Sequence, residues 1–202
     1  MRHVKFSAYV IAVVLVSFSL SLGEDKPTKS TTPLTADEIA IYKAVLAHYS
    51  SKEAGGLNVS IRTFPLDPGS SRGGLSNGDC LRGIELENLT ATSRTFHELT
   101  PEILPGKNMK LVDPKKQSKV VRGNDPDKTT REGKSVGSAV ASAFATALFS
   151  MSEIAFDKAH RHAVVSYSFW CGALCGNGST LVFEKTGQGW KRTDHNCGGW
   201  IS

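Results

Sequence analysis

Phe169-Trp170-Cys171-Gly172-Ala173-Leu174-Cys175-Gly176-Asn177-Gly178 is the stretch on which the fold turns. Two cysteines and three glycines here separate two segments rich in β-branched and aromatic residues, the pattern of a β-hairpin. The flanking segments extend it. Residues 152–157, 163–170, 180–185 and the chain from 190 onward read as four strands of an antiparallel meander. Trp170, Phe183, Trp190 and Trp200 are large enough to fill the space between such a sheet and its helices, so Trp190 and Trp200 are expected in the core.

The N-terminus carries an export leader. Arg2, His3 and Lys5 precede an apolar stretch from 10 to 22, and Ser21 and Gly23 place small residues for cleavage before Glu24. The stretch is shorter than the roughly 20 apolar residues of a spanning helix, and no later segment is long enough to cross a membrane. The mature protein is therefore expected to be exported, periplasmic or extracellular. Its residues 24–202 suit one domain. The whole chain has a formal net charge of +5, and loss of Arg2 and Lys5 lowers it by two. A balance that mild favours solubility over a polyanion partner, nucleic acid included.

All four cysteines, Cys80, Cys171, Cys175 and Cys197, lie beyond the leader. An even count in an exported chain reads first as disulfides. Three pairings exist. Cys171 and Cys175 share one short loop, which leaves Cys80 for Cys197. In the chain-entropy model the long ring contributes about 5 kcal/mol and the short one about 2 kcal/mol. Cys171, Cys175 and Cys197 with His195, or with His160 and His162, are also of zinc-ligand type. Paired sulfurs explain the even count without a metal, so neither metal nor cofactor is expected.

Working back from the hairpin, residues 24–34 are polar and read as a flexible lead-in to a domain spanning 35–202. Thr35 and Glu38 form a capping box ahead of a helix over 36–51, whose apolar residues are Ala36, Ile39, Tyr42, Val45, Leu46 and Tyr49. Leu57, Val59 and Ile61 alternate with polar residues as a half-buried strand. Residues 65–78 read as a loop, 81–104 as short helices or mixed structure, and 109–112 as a short strand. Val136, Val140, Phe144, Ala147 and Leu148 fall at helical spacing over 133–148. Helices preceding an antiparallel meander define an α+β fold, with helices expected on one face of the sheet.

No complete catalytic motif is present. Gly133-Lys134-Ser135 lacks the upstream glycine of a phosphate loop, since position 128 is lysine. Asp125 and Asp127 imitate a calcium loop, but Thr130 and Val136 stand where glycine and glutamate are required. His48, His97, His160, His162 and His195 are candidate bases without a nucleophile elbow beside them. Glu153, Asp157 and Glu184 can share a sheet face as an acid–base cluster, although alternation equally makes them solvent-facing charges. Lys107, Lys110, Lys115, Lys116, Lys119 and Arg122 form the only basic run. It can serve an anionic surface polymer or lipid headgroup, or simply be a solvated face.

The order of an aromatic residue, the Cys171–Gly178 stretch, Leu181-Val182-Phe183-Glu184-Lys185, Gly189-Trp190-Lys191 and the closing Trp200-Ile201-Ser202 resembles a set of small exported bacterial proteins of uncharacterised function. The resemblance covers about residues 130–202 and implies an exported single domain from a bacterium. It carries no site residues. The function expected is a non-catalytic domain that binds a protein, glycan or small ligand, with a cell-envelope component as partner. The alternative is a hydrolase or isomerase with a carboxylate and histidine in a pocket between sheet and helices. A carboxylate beside a histidine in a pocket would favour the enzyme.

Overall fold

The computed structural model describes residues 26–50, 56–66, 80–87, 89–195 and 197–202. The expected leader and cleavage site, and most of the expected 65–78 loop, lie outside the described residues. The elements begin with β1 (Thr28–Lys29), α1 (Ala36–Ser50), β2 (Leu57–Ser60), α2 (Leu89–Thr92) and β3 (Thr95–Phe96). After a 3₁₀ turn at Pro101–Ile103 come β4 (Met109–Val112), α3 (Pro114–Gly123), α4 (Pro126–Arg131) and α5 (Val136–Thr146). The chain finishes with β5 (Leu148–Met151), β6 (Ala155–Phe156), β7 (His162–Gly172), β8 (Cys175–Thr186), β9 (Gly189–Arg192) and β10 (Gly199–Ile201).

The fold is α+β. The hairpin is β7 and β8, paired antiparallel from His162↔Glu184 to Trp170↔Gly176, with a register shift between Trp170 and Gly172. It is the spine of a larger sheet than a four-strand meander. The order is β10-β8-β7-β5-β2-β4, with β6 also on β7 and β9 also on β8. β2 runs parallel to both β4 and β5, so the sheet is mixed. The chain from 190 onward, expected as one strand, divides into β9 and β10 at opposite ends of β8. Residues of the expected flexible lead-in supply β1, which pairs in parallel with β3 and is held by Lys29 bonded to Glu98 at 2.6 Å.

Alternation along β7 sends Ala163, Val165, Tyr167 and Phe169 to one face and Val164, Ser166, Ser168 and Trp170 to the other. The first face packs against α1. Thr35 and Glu38 exchange the two bonds of the capping box, and α1 then buries Ile41, Tyr42, Val45 and Leu46 in the main core. Tyr49 meets Phe149 and Tyr167 with ring centroids 4.8 Å away in each case. The second face is covered differently. Cys80 and Cys197 pack on Val164 and Val182, with Leu81, Ile84 and Leu86 around them. Helix α3 packs against β5 and β7, with Arg122 over Trp170. The helices thus flank both faces, because the segment from β4 to β5 must cross the sheet to keep those strands parallel to β2.

Two expectations change for packing reasons. β2 is buried on both faces, not one, as parallel strands are. Its Asn58 therefore sits inside and donates both amide hydrogens to Ala145 O (3.1 Å) and Ala147 O (3.0 Å), satisfying carbonyls at the end of α5. Helix α5 buries Ala139 and Ala143 and leaves Val136, Val140 and Phe144 exposed, so its small residues make the close approach.

The sulfurs of Cys80–Cys197 and of Cys171–Cys175 lie at disulfide distance, with Cα separations of 4.8 and 5.0 Å. The long ring should dominate stability. Replacing Cys80 and Cys197 together by serine should cost about 4–5 kcal/mol, and the Cys171/Cys175 double variant about 2 kcal/mol. Urea unfolding of both variants checks this, and equal midpoints would contradict it.

Candidate active site

Glu153 lies just after β5 and is only 3% exposed, although it reads in sequence as a solvent-facing charge. Its main chain is fixed first. Glu153 N donates to Phe64 O at 2.8 Å, and the preceding Ser152 hydroxyl donates to Glu153 O at 2.6 Å. Ser152 O in turn accepts the Tyr42 hydroxyl of α1 at 2.9 Å. Burial, followed by the charges of Glu153 and Glu38, pushes the Tyr42 phenol well above its ordinary pKa, so it remains a donor.

Both carboxylate oxygens are engaged. One oxygen takes the Thr63 hydroxyl and, at 2.9 Å, the His97 main-chain N–H. The other lies 2.8 Å from His97 Nδ1. Thr63 and His97 are themselves joined by Thr63 N donating to His97 O at 3.0 Å. An ionised carboxylate only accepts, so opposite one the imidazole holds a proton on Nδ1, and the neutral ring then has its lone pair on Nε2. Among the described residues Nε2 has no hydrogen-bond partner. His97 lines a cavity of about 420 Å³ together with Ser30, Thr31, Leu34, Ile39 and Thr100. That volume falls within the range of small-molecule sites. A base oriented by a buried carboxylate, in the wall of a pocket that also carries Lys29, Glu98 and Glu102, can abstract a proton from water or from a substrate.

Asp157 and His162 form a second pair, Oδ2 to Nδ1 at 2.9 Å, while Oδ1 accepts the main-chain N–H groups of Arg161 (2.7 Å) and His162 (3.0 Å). This is the staple of the β6–β7 turn. Burial acts to raise the Asp157 pKa, but the bonds from His162 and Arg161 outweigh it, and the carboxyl sits below the ordinary aspartate value. Glu184 is exposed on β8. The three carboxylates weighed as a cluster against solvent-facing charges are split among three environments, with only Glu184 exposed, because each belongs to a different turn or strand.

Most remaining candidates have structural places, while His48 and His195 line a second cavity of about 550 Å³ with Arg192 and Asp194. Asp125 caps α4 and accepts Ala173 N at 2.6 Å, and Asp127 pairs with Arg131, so neither is arranged for calcium. Ser135 caps α5 through Ser138 N. His160 adopts a φ of 51° in the turn and stacks on Phe156 at 4.7 Å. His195 bonds through Nδ1 to Cys80 O at 2.8 Å, and His48 Nε2 lies 3.4 Å from Arg192. No group of three metal-ligating side chains occurs among the described residues. Within those residues no helix is long and apolar enough to cross a membrane. Thr63 and Tyr42 were not legible as site residues, since their partners are remote in sequence.

No protein-family model, curated protein or solved structure matches this chain.

The Asp157 staple gives a signed pH dependence. Its folded pKa is depressed, so its contribution is present above the unfolded aspartate value of about 3.9 and disappears as pH falls through the folded value. The Asp157→Asn variant should melt below the parent at pH 7. The gap should narrow steadily as pH drops below about 4. A melting difference that stays constant from pH 7 to pH 2 would contradict this assignment.

Proposed function

We propose that this protein is an exported acid–base enzyme, a hydrolase or isomerase of a cell-envelope component, with His97 as its base. The observation that carries the reading is the buried Glu153 carboxylate bonded to His97 Nδ1 behind a cavity that His97 lines. Such a pair has a structural role as well, since it ties residue 63 to residue 97. The place of His97 in a cavity wall, with Nε2 unbonded among the described residues, is what a purely structural pair does not require.

In the hydrolytic form, a water held at Nε2 gives its proton to His97 as its oxygen attacks the electrophilic carbon. The resulting imidazolium is stabilised by Glu153 and returns that proton to the departing oxygen or nitrogen. In the isomerising form, Nε2 removes a proton from substrate carbon and redelivers it nearby. Among the described residues no serine or cysteine is bonded to His97 Nε2, which favours water or substrate as the proton donor over a covalent nucleophile. Export is supported by the leader and by two cysteine pairs at disulfide distance.

The test is turnover of chromogenic esters, glycosides and cell-envelope extracts by the purified protein and by His97→Gln. The variant should lose about 10²- to 10⁴-fold in rate while still folding, with a stability loss of about 1–3 kcal/mol where Glu153 loses its imidazole partner. Glu153→Gln keeps the shape but removes the charge that stabilises the imidazolium, so it should lose rate without a matching rise in KM. Full activity in His97→Gln, or no turnover in any extract, would sink the proposal. The binding-domain reading draws on a different place, the cleft between Trp170 and Trp200.

A further inference from the structure

Trp200 is not a core residue. It belongs to neither buried cluster, and its indole lies flat across the backbone of β8 where two glycines leave room. A Cβ at Gly178 would stand 2.8 Å from Trp200 Cε2, and one at Gly176 would stand 3.1 Å from Cζ3 and Cη2. Trp170 is paired directly with Gly176, so the missing side chain also brings the two tryptophans to the same recess. Together with Gly172, Ala173, Ile201 and Ser202 they line a cavity of about 360 Å³, with both indoles half-buried. The floor is rigid, because the Cys171–Cys175 pair closes the turn and Asp125 holds Ala173 N.

The basic run supplies the second observation. Four of its six members lie on α3, and Lys115, Lys119 and Arg122 fall on one stripe of that helix at i, i+4 and i+7. The stripe ends at the recess, where the Arg122 guanidinium stands 6.0 Å from the Trp170 ring centroid. All three side chains are exposed, and among the described residues none is ion-paired. Of the acids flanking α3, Asp125 is engaged by the main-chain N–H groups of Ala173, Asp127 and Lys128, and Asp113 caps the helix through Lys116 N.

We infer that this recess and stripe bind an anionic polysaccharide. The apolar face of a pyranose ring lies against Trp170 and Trp200, and carboxylates on neighbouring sugars meet Arg122, Lys119 and Lys115. Two flat indoles select a ring, the 360 Å³ recess admits one or two sugars, and the unpaired stripe selects negative charge. A bare polyanion would need the stripe alone, and a neutral glycan would need the indoles alone. The arrangement provides both.

The experiment titrates the full mature chain with oligogalacturonate, oligoalginate and hyaluronan oligosaccharides, following tryptophan fluorescence and binding heat. Cellohexaose, polyglutamate and phosphatidylglycerol vesicles are the controls. At least one acidic oligosaccharide should bind saturably, at least tenfold more tightly than cellohexaose or polyglutamate, and more weakly as salt rises. Trp200→Ala should weaken it tenfold or more. Should that variant fail to fold, Lys119→Gln with Arg122→Gln changes only exposed side chains and should cost a similar factor at unchanged melting temperature. Trp190→Phe should leave affinity intact. The inference is overturned if none of the three oligosaccharides binds, or if a control binds as tightly. Affinity that survives the Trp200 change, or the α3 double change where Trp200→Ala does not fold, overturns it equally.

Discussion

A carboxylate that is 3% exposed must have its acceptor sites filled, and around Glu153 that requirement joins parts of the chain that have little else in common. The residues that fill it come from the connection after β2 and from the segment after β3. The main chain that carries Glu153 is set by Ser152, whose hydroxyl accepts Ser166 N of β7 at 2.8 Å and whose carbonyl accepts Tyr42 of α1. Sheet, α1 and the segments that carry Thr63 and His97 therefore converge on one buried polar centre. Removing one partner would leave a desolvated oxygen, costing about 1–3 kcal/mol or more for a charged group. The candidate chemistry inherits this rigidity: His97 is aimed by the same bonds that close the fold.

The β7–β8 hairpin contributes the other constraint. Its two faces meet different environments, a continuous aromatic and aliphatic core under α1 and a thinner cover tethered through Cys80 and Cys197. Near the turn the cover stops. There Gly176 and Gly178 make room for Trp200, and β10 lies on β8 through pairs such as Trp200↔Gly178. A glycine that reads as a turn former thus does something else in the structure: it vacates space above a strand. The indole that occupies this space remains half exposed, so it contributes less to the core than its size suggests.

Several features were legible in the residues because they are local. The capping box of α1 depends on positions three apart, and the Cys171–Cys175 loop on positions four apart. The hairpin depends on a run of β-forming residues broken by glycine. For the same reason Met109–Val112 was readable as a strand. Patterns were misleading where burial has two sides. Apolar periodicity pointed to Val136, Val140 and Phe144 as the inner face of α5, yet Ala139 and Ala143 are the buried residues, since closeness of approach was worth more there than side-chain area.

From sequence alone came the α+β class, the candidate cysteine pairing, the first helix and the hairpin, all consequences of short-range sterics, capping and composition. The tertiary structure alone decided that the sheet is mixed, that Glu153 is internal, and that His97 joins a buried carboxylate at the edge of a cavity. Thr63 and Glu153 lie 34 and 56 residues from His97, and Tyr42 lies 110 residues from the carbonyl it supports. No periodicity encodes such pairings, because they arise only after strands from distant segments are brought into register and the polar groups trapped between them must find one another.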